Sequence, residues 1–119
     1  MAYRVDISKR ALAEIDRELT WMQERSGLMA DNWYDELLTA LGSLEEMPNR
    51  CPIAPETHAF LIEIRHLLFG EGKLQHRIIF GVSVDERSGE GVVTIYRVRN
   101  SSQRNLPGLE ILGEYDDDE

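Results

Sequence analysis

An α+β fold with the element order β-α-α-β-β-β is predicted by three features of this sequence. Apolar residues recur three and four positions apart over residues 9–44, as on the buried face of amphipathic helices. The pattern then changes to alternation, most clearly in the stretch QHRIIFGVSV, which is typical of strands. Short turns rich in glycine separate the later strands. We therefore expect a long antiparallel helical hairpin packed on one face of a small antiparallel sheet.

The amino-terminal half predicts one strand and two helices. Alternating apolar residues indicate a short first strand, at Tyr3, Val5 and Ile7. Ser8 is the expected N-cap of a first helix that reaches about Arg25. Ser26 and Gly27 interrupt the pattern, and a second helix is expected to end before Pro48. Its apolar stripe contains Trp33, Leu37, Leu41 and Leu44.

The carboxy-terminal half predicts a proline-rich connector followed by three strands. Three prolines favour an extended, non-helical segment over residues 48–57. The second strand is expected within FLIEIRHLLFG, where Ile62 and Ile64 alternate with polar residues. The third strand is QHRIIFGVSV, with His76 on the face that meets the helices. The fourth is VVTIYRVRN, and simple alternation places Arg97 and Arg99 on the face of its apolar residues Val93 and Ile95.

The domain is expected to span residues 1–108, with an acidic tail at 109–119. Leu109, Ile111 and Leu112 are expected to pack on the domain, and the residues from Tyr115 onwards to be solvated and disordered. The first twenty residues carry eight charged side chains, which predicts neither a signal peptide nor a membrane span. We therefore expect a cytoplasmic protein.

Cysteine and histidine usage gives no indication of a cofactor. Cys51 is the single cysteine, which excludes an intramolecular disulfide and a thiolate-rich zinc site, and fits a reducing compartment. His58, His66 and His76 are distributed over the connector and two strands, without a recognisable metal-ligand spacing. No metal and no organic cofactor is expected.

The net charge of −9 hides a local cationic region. Residues 60–105 contain 7 basic and 5 acidic side chains, although the sequence pI is about 4.8. A generic nucleic-acid binder is not expected, because non-specific affinity for nucleic acids comes mostly from Lys and Arg. A confined basic site is compatible with this distribution.

Four arginines on three adjacent predicted strands make the candidate partner-binding site: Arg65, Arg77, Arg97 and Arg99. If the strand registers align, at least three of them share one face or one end of the sheet. Guanidinium groups suit bidentate contacts, so such a cluster would bind an anionic partner through carboxylates or phosphates. The alternative is that each arginine pairs with a nearby acid on a solvated face, such as Glu63 or Asp85.

The stretches IRHLLFG, HRIIFGV and TIYRVRNSSQRNL resemble the RelE/ParE toxin superfamily of type II toxin-antitoxin systems, and its ParE-like, plasmid-stabilisation branch most of all. The resemblance extends from Tyr3 to about Leu106. The third strand matches the family's Arg-Ile-aliphatic-aromatic signature at residues 77–80. The last strand matches its Arg-Val pair at residues 97–98, but Asn100 and Ser101 replace the usual His and Gly.

The resemblance implies two alternative mechanisms. A RelE-like toxin would cleave messenger RNA in the ribosome, with Arg77 and either Arg97 or Arg99 stabilising the phosphate. Cleavage also needs a group that exchanges protons, and Asn100 does not titrate. The remaining candidates are His66, His76 and Glu56. For Glu56 the alternative is an ordinary solvated acid of the connector.

A ParE-like toxin would instead bind DNA gyrase without catalysis, and this is the interpretation that the long helices and the missing histidine favour. A third alternative is a non-toxic binding module that retains the fold. Either toxin branch implies a cognate antitoxin, and a toxin-antitoxin hetero-oligomer is then possible, with anionic or apolar antitoxin side chains meeting the arginines. Trp21 and Trp33 are further candidates for partner contact, although core packing is expected for Trp33 and partial exposure for Trp21.

Overall fold

The computed structural model describes residues 2–59 and 63–102. It confirms the α+β class and the order β-α-α-β-β-β. The elements are β1 (Arg4–Ile7), α1 (Lys9–Gln23), α2 (Gly27–Ser43), β2 (Arg65–Phe69), β3 (His76–Val84) and β4 (Gly91–Asn100). The interpretations of Ile62 and of the acidic tail at 109–119 concern residues outside the described ranges.

Serine side chains begin both helices. The Ser8 hydroxyl accepts a hydrogen bond from the Ala11 amide at 3.1 Å, and the Ser26 hydroxyl accepts one from the Met29 amide at 3.2 Å. Each bond satisfies an amide that has no partner within its helix. The short connection between Gln23 and Gly27 makes the two helices antiparallel neighbours, as predicted.

The four strands form one sheet in the order β1-β4-β3-β2. The pairs β2–β3 and β3–β4 are antiparallel, so the predicted meander is confirmed. However, β1 pairs with β4 in parallel, and the sheet is therefore mixed where a purely antiparallel one was expected. Alternation within a strand indicates its faces but not its direction relative to a distant partner, which explains the difference.

The main hydrophobic core lies between the helical hairpin and one face of the sheet. Its largest fully buried side chains include Trp33 and Leu37 of α2 and Phe80 of β3. His76 is also fully buried, and its Nδ1 lies 3.2 Å from the indole nitrogen of Trp33. The expected burial of His76 beside the helices is thus confirmed.

The proline-rich connector crosses the opposite face of the sheet. It is not the extended segment that was predicted, because Pro48–Arg50 and Pro55–Ala59 form two short 3-10 helices. Ala54 of the connector packs with Ile64, Ile79 and Tyr96 in a second, smaller core. The Ala54 amide donates to the Ile64 carbonyl at 2.6 Å, so Ile64 pairs with the connector just before β2 begins. Both faces of the sheet centre are therefore covered.

A β-bulge in β4 changes the predicted faces of the last strand. Ile79 lies opposite Arg97, whereas the next residue, Phe80, lies opposite Ile95, so β4 contains one extra residue. Val98 consequently enters the main core, and the expectation that Arg97 and Arg99 share the face of Ile95 is wrong.

The extra residue is Tyr96, whose ring covers Gly81 on the other face of the sheet. A β-carbon at Gly81 would lie 3.1 Å from the Tyr96 ring, which is tighter than ordinary contact. The absence of a side chain at Gly81 thus makes room for the ring beside the bulge.

Candidate functional site

Arg77 of β3 is buried beneath the connector. Its side chain forms two bonds to the Glu56 carboxylate, from Nη1 to Oε1 at 3.2 Å and from Nη2 to Oε2 at 2.5 Å. The exposed fractions are 6% for Arg77 and 3% for Glu56. Glu56 is therefore not the solvated acid considered above, and this bidentate pair joins the connector to the centre of the sheet.

His66 of β2 lies beside this ion pair. Its Nδ1 is 3.0 Å from Arg77 Nη1, at hydrogen-bonding distance. Burial lowers the pKa of His66, the Arg77 guanidinium lowers it further, and the Glu56 carboxylate partly opposes both effects. A neutral imidazole with Nδ1 unprotonated accepts a hydrogen bond from Arg77, which agrees with this direction.

Arg97 of β4 pairs with a second buried carboxylate. Its Nε and Nη2 lie 2.7 and 2.6 Å from Oε2 of Glu14, a residue of α1. The second oxygen, Oε1, accepts a hydrogen bond from the Val98 amide at 2.8 Å. One carboxylate thus satisfies both a buried guanidinium and a backbone donor of the bulged strand.

The other two arginines lie in different surroundings. Arg65 donates to the Cys51 carbonyl at 2.6 Å and to Glu63 at 2.9 Å, which matches the alternative in which it pairs with a nearby acid. Arg99 is partly buried and lies directly opposite Arg77 in the strand register. Asp85, the other acid considered as a partner for these arginines, instead lies 3.9 Å from Arg4.

The register brings Arg77 and Arg99 side by side but does not gather all four arginines. Arg65 lies opposite Phe80, whereas Arg77 lies opposite Leu68, three residues farther along β2. Three residues correspond to about 10 Å of strand, so the two guanidinium groups start from well separated positions. Because Arg77 and Arg97 are also buried with internal carboxylates, the basic strands present less positive charge to solvent than their sequence indicates.

The two tryptophans differ in exposure. Trp33 is 1% exposed and packs against Phe69 with ring centroids 5.4 Å apart, so its expected core role is confirmed. Trp21 is 44% exposed, as expected for a partly exposed residue, and the Arg25 guanidinium lies 3.9 Å from its ring centroid. Trp21 therefore presents an aromatic surface with a stacked cation to solvent.

Glu14 was not predicted as a buried partner from the sequence, and His66 was not predicted to lie beside Arg77. Glu14 carried a detectable signal, because it lies three residues after Ala11 and one before Ile15, on the buried stripe of α1. An acid in such a stripe needs a buried partner. The neighbour relation of His66 and Arg77 depends on the register of β2 and β3, which no local pattern encodes.

Neither a membrane-spanning helix nor a metal cluster is found in the described part of the chain. No helix there has the length and apolar character needed to cross a bilayer. Within residues 2–59 and 63–102, no group of three His, Cys, Asp or Glu side chains has an arrangement that would hold a metal ion.

Comparison with known proteins identifies the family. A comparison with curated protein sequences gave no match. The family model for the ParE toxin of the type II toxin-antitoxin system parDE matches residues 5–105, which include α1, α2 and the four described strands except the first residue of β1. This chain therefore belongs to the ParE toxin family of type II toxin-antitoxin systems.

Proposed function

We propose that this ParE-family toxin acts by binding a cellular target such as DNA gyrase, and that a cognate antitoxin neutralises it. The observation that carries the proposal is the internal pairing of the arginines that a phosphate-cleaving site would use. Arg77 is held by Glu56 and Arg97 by Glu14, and all four side chains are buried. A binding function requires an accessible surface, whereas phosphate cleavage requires accessible cations and a proton carrier.

Trp21 supports a binding role because it is large, aromatic and accessible. Tryptophan and arginine are among the residue types that most often dominate protein interfaces, and Trp21 near the end of α1 with Arg25 just after this helix provides both. Of the residues predicted for partner contact, we retain Trp21 and Arg99 as candidates. For Arg65, Arg77, Arg97 and Trp33 we propose a supporting role in holding the fold.

A RelE-like messenger RNA endonuclease remains the second candidate function, and the position of His66 is the observation that favours it. His66 provides a titratable group 3.0 Å from Arg77, which the last strand lacks at Asn100. For cleavage, the connector would have to release Arg77 from Glu56 so that the guanidinium reaches a phosphate. The third candidate, a non-toxic binding module, predicts neither activity.

Expression of the chain alone from a tightly controlled promoter tests the three candidates. The measurements are growth, DNA supercoiling by gyrase, and ribosome-dependent cleavage of messenger RNA. We expect growth arrest with supercoiling lost and messages intact. Codon-positioned cleavage that disappears in His66→Ala and Arg99→Ala would contradict gyrase binding and favour the nuclease. Normal growth with no effect in either assay would favour the non-toxic module.

Surface variants of α1 locate the proposed target contact. Trp21→Ala removes the exposed indole and should weaken gyrase inhibition about tenfold or more, the size expected for an interface tryptophan. Leu12→Ala is the matched control, because Leu12 is similarly exposed on the same helix. Circular dichroism establishes that both variants fold. Equal inhibition by both variants and the parent chain would exclude Trp21 from the contact.

A further inference from the structure

His76 of β3 lies where both helices meet the turn between β2 and β3, which contains the short 3-10 helix Gly72–Leu74. The imidazole is fully buried. Its Nδ1 lies 2.8 Å from the Leu74 carbonyl oxygen and 3.2 Å from the indole nitrogen of Trp33. On the other side of the ring, Nε2 lies 3.2 Å from the Glu18 carboxylate of α1. One imidazole therefore joins α1, α2 and the turn.

The two contacts at Nδ1 require opposite protonation states. The indole N–H of Trp33 only donates a hydrogen bond, whereas the Leu74 carbonyl only accepts one. Nδ1 accepts from Trp33 when it carries no proton, and it donates to Leu74 when it carries one. A single nitrogen cannot do both at once, so each protonation state satisfies one of the two partners.

Glu18 fixes the proton on the other ring nitrogen. An ionised carboxylate only accepts hydrogen bonds, so Nε2 donates to Glu18 in both states. The neutral ring is then the tautomer that accepts at Nδ1, and a second proton enters at Nδ1. The carboxylate also stabilises the charged ring through its opposite charge. Proton uptake thus converts His76 from an acceptor for Trp33 into a donor to Leu74.

Glu18 is the only charged side chain that forms a hydrogen bond or ion pair with His76 within residues 2–59 and 63–102. The residues opposite His76 in the sheet do not titrate, since they are Phe69 of β2 and Asn100 of β4. The arginines at the next register position belong to the other face of the sheet, because side chains alternate. Further charges on α2 and the turn are exposed to solvent: Glu36, Glu71 and Lys73.

Neither protonation state satisfies both partners at Nδ1. The neutral state sets the Nδ1 lone pair against the Leu74 carbonyl oxygen, and the charged state leaves the Trp33 N–H without its acceptor. Each loss has the size of one hydrogen bond, so the contacts at Nδ1 alone favour neither state strongly. Histidine is the residue type whose charge changes most readily in the physiological pH range. The pH therefore selects between the two partners.

We propose that His76 is a proton-operated switch between the helical hairpin and the β2–β3 turn. The neutral ring is bonded to Trp33 of α2, and the charged ring is bonded to Leu74 of the turn. Both residues line one groove between the start of α2 and the turn, together with Met29 and Asn32. Proton uptake therefore fixes the turn side of this groove and releases the Trp33 N–H. This linkage is independent of whether the chain inhibits gyrase.

Nuclear magnetic resonance of the whole isotope-labelled chain between about pH 5 and 8 tests the switch. The nitrogen shifts of His76 report which ring nitrogen carries a proton, and the indole N–H signal of Trp33 reports its hydrogen bond. We expect Nε2 to be protonated throughout and Nδ1 only at low pH. The Trp33 signal should change with the same midpoint, whereas that of the exposed Trp21 should not. An Nδ1 that keeps one protonation state, or a Trp33 signal that does not follow it, would overturn the proposal.

A matched pair of variants at α1 tests the role of the carboxylate. Glu18→Gln keeps an acceptor for Nε2 but removes the charge that stabilises the imidazolium, so the midpoint of the His76 signals should fall by about one pH unit. Glu18 is partly exposed, so this variant is expected to fold. Glu24→Gln is the control, because it makes the same charge change at the exposed C-cap of α1 and should leave the midpoint unchanged. Equal shifts in both variants would assign the effect to net charge and contradict the switch.

Trp33→Phe tests the exchange of partners itself. The variant removes the donor that stabilises the neutral ring, so the midpoint of the His76 signals should move to higher pH. An unchanged or lower midpoint in the folded variant would contradict the exchange between Trp33 and Leu74.

Discussion

The two sides of the sheet differ in how the backbone groups of their strands are hydrogen-bonded. On the β1 side, β1 ends at Ile7 opposite Ile95, yet β4 continues to Asn100. The start of α1 completes this edge: the Ser8 hydroxyl donates to the Tyr96 carbonyl at 3.0 Å, and Glu14 accepts from Val98. On the β2 side, the connector satisfies His66 and stops before Leu68.

The difference indicates which edge is structural and which is available for binding. A carboxylate that accepts a backbone amide inside the protein must remain in place, because its removal leaves buried polar groups without partners. An exposed strand edge has no such requirement, since water satisfies it until another strand arrives. Four experiments test this contrast, in order of decreasing expected effect.

The largest effect on stability is expected on the β1 side of the sheet. Glu14→Leu leaves the Arg97 guanidinium and the Val98 amide buried without their carboxylate, and should lower the free energy of unfolding by about 3–5 kcal/mol in urea denaturation. Adding Arg97→Met to this variant should recover most of the loss, because the guanidinium that lost its carboxylate is then removed as well. A double variant as unstable as the single one would show that the charge is not the cause.

A smaller loss is expected at the connector. Glu56→Gln retains the shape of the side chain but removes the charge that pairs with Arg77, and should lower the free energy of unfolding by about 1–3 kcal/mol. The control is Glu63→Gln, whose exposed carboxylate pairs with Arg65, with an expected change within about 0.5 kcal/mol. Similar losses in both variants would contradict the distinction between buried and exposed pairs.

The pH dependence of stability tests the protonation of His66. Its effect on the free energy of unfolding is expected to be smaller than that of Glu56→Gln. The folded pKa of His66 lies below its ordinary 6.5, through burial first and Arg77 second. Below about pH 6.5 the unfolded chain therefore binds a proton that the folded protein does not yet bind, so the free energy of unfolding falls as the pH drops. Above that range both states are neutral and this contribution disappears.

Urea denaturation of the parent and of His66→Gln at about pH 7.5, 6.5 and 5.5 measures this contribution. We expect the variant to lose less stability than the parent between the highest and the lowest pH. Parallel pH profiles for the two proteins would show that His66 is as easily protonated in the folded state as in the unfolded chain.

The smallest effect on stability is expected beside the β2 edge of the sheet. Asp35→Lys with Glu36→Lys changes two exposed side chains of α2, and should alter the free energy of unfolding by no more than about 0.5 kcal/mol per substitution. A loss of several kcal/mol would mean that these acids support the fold.

Local patterns in the sequence were sufficient for the elements and for much of the core. Helical spacing predicted α1 and α2, with Ser8 as the cap of α1, and alternation predicted β3 and the burial of His76. These features depend on residues close together in the chain, so a periodicity of 3.6 or 2 records them directly. The family resemblance rested on the sequences of β2, β3 and β4, and the family match confirms it.

The tertiary structure alone decided what the arginines do. Arg97 and Glu14 are separated by 83 positions in the sequence, and Arg77 and Glu56 by 21. These partners are brought together by the strand register, the bulge at Tyr96 and the path of the connector. No local sequence pattern encodes any of these three features. The sequence by itself determined that a cationic strand would exist in an acidic protein. The fold determined that Arg97 of this strand turns inward, because a buried guanidinium is stable only where the packing places a carboxylate beside it.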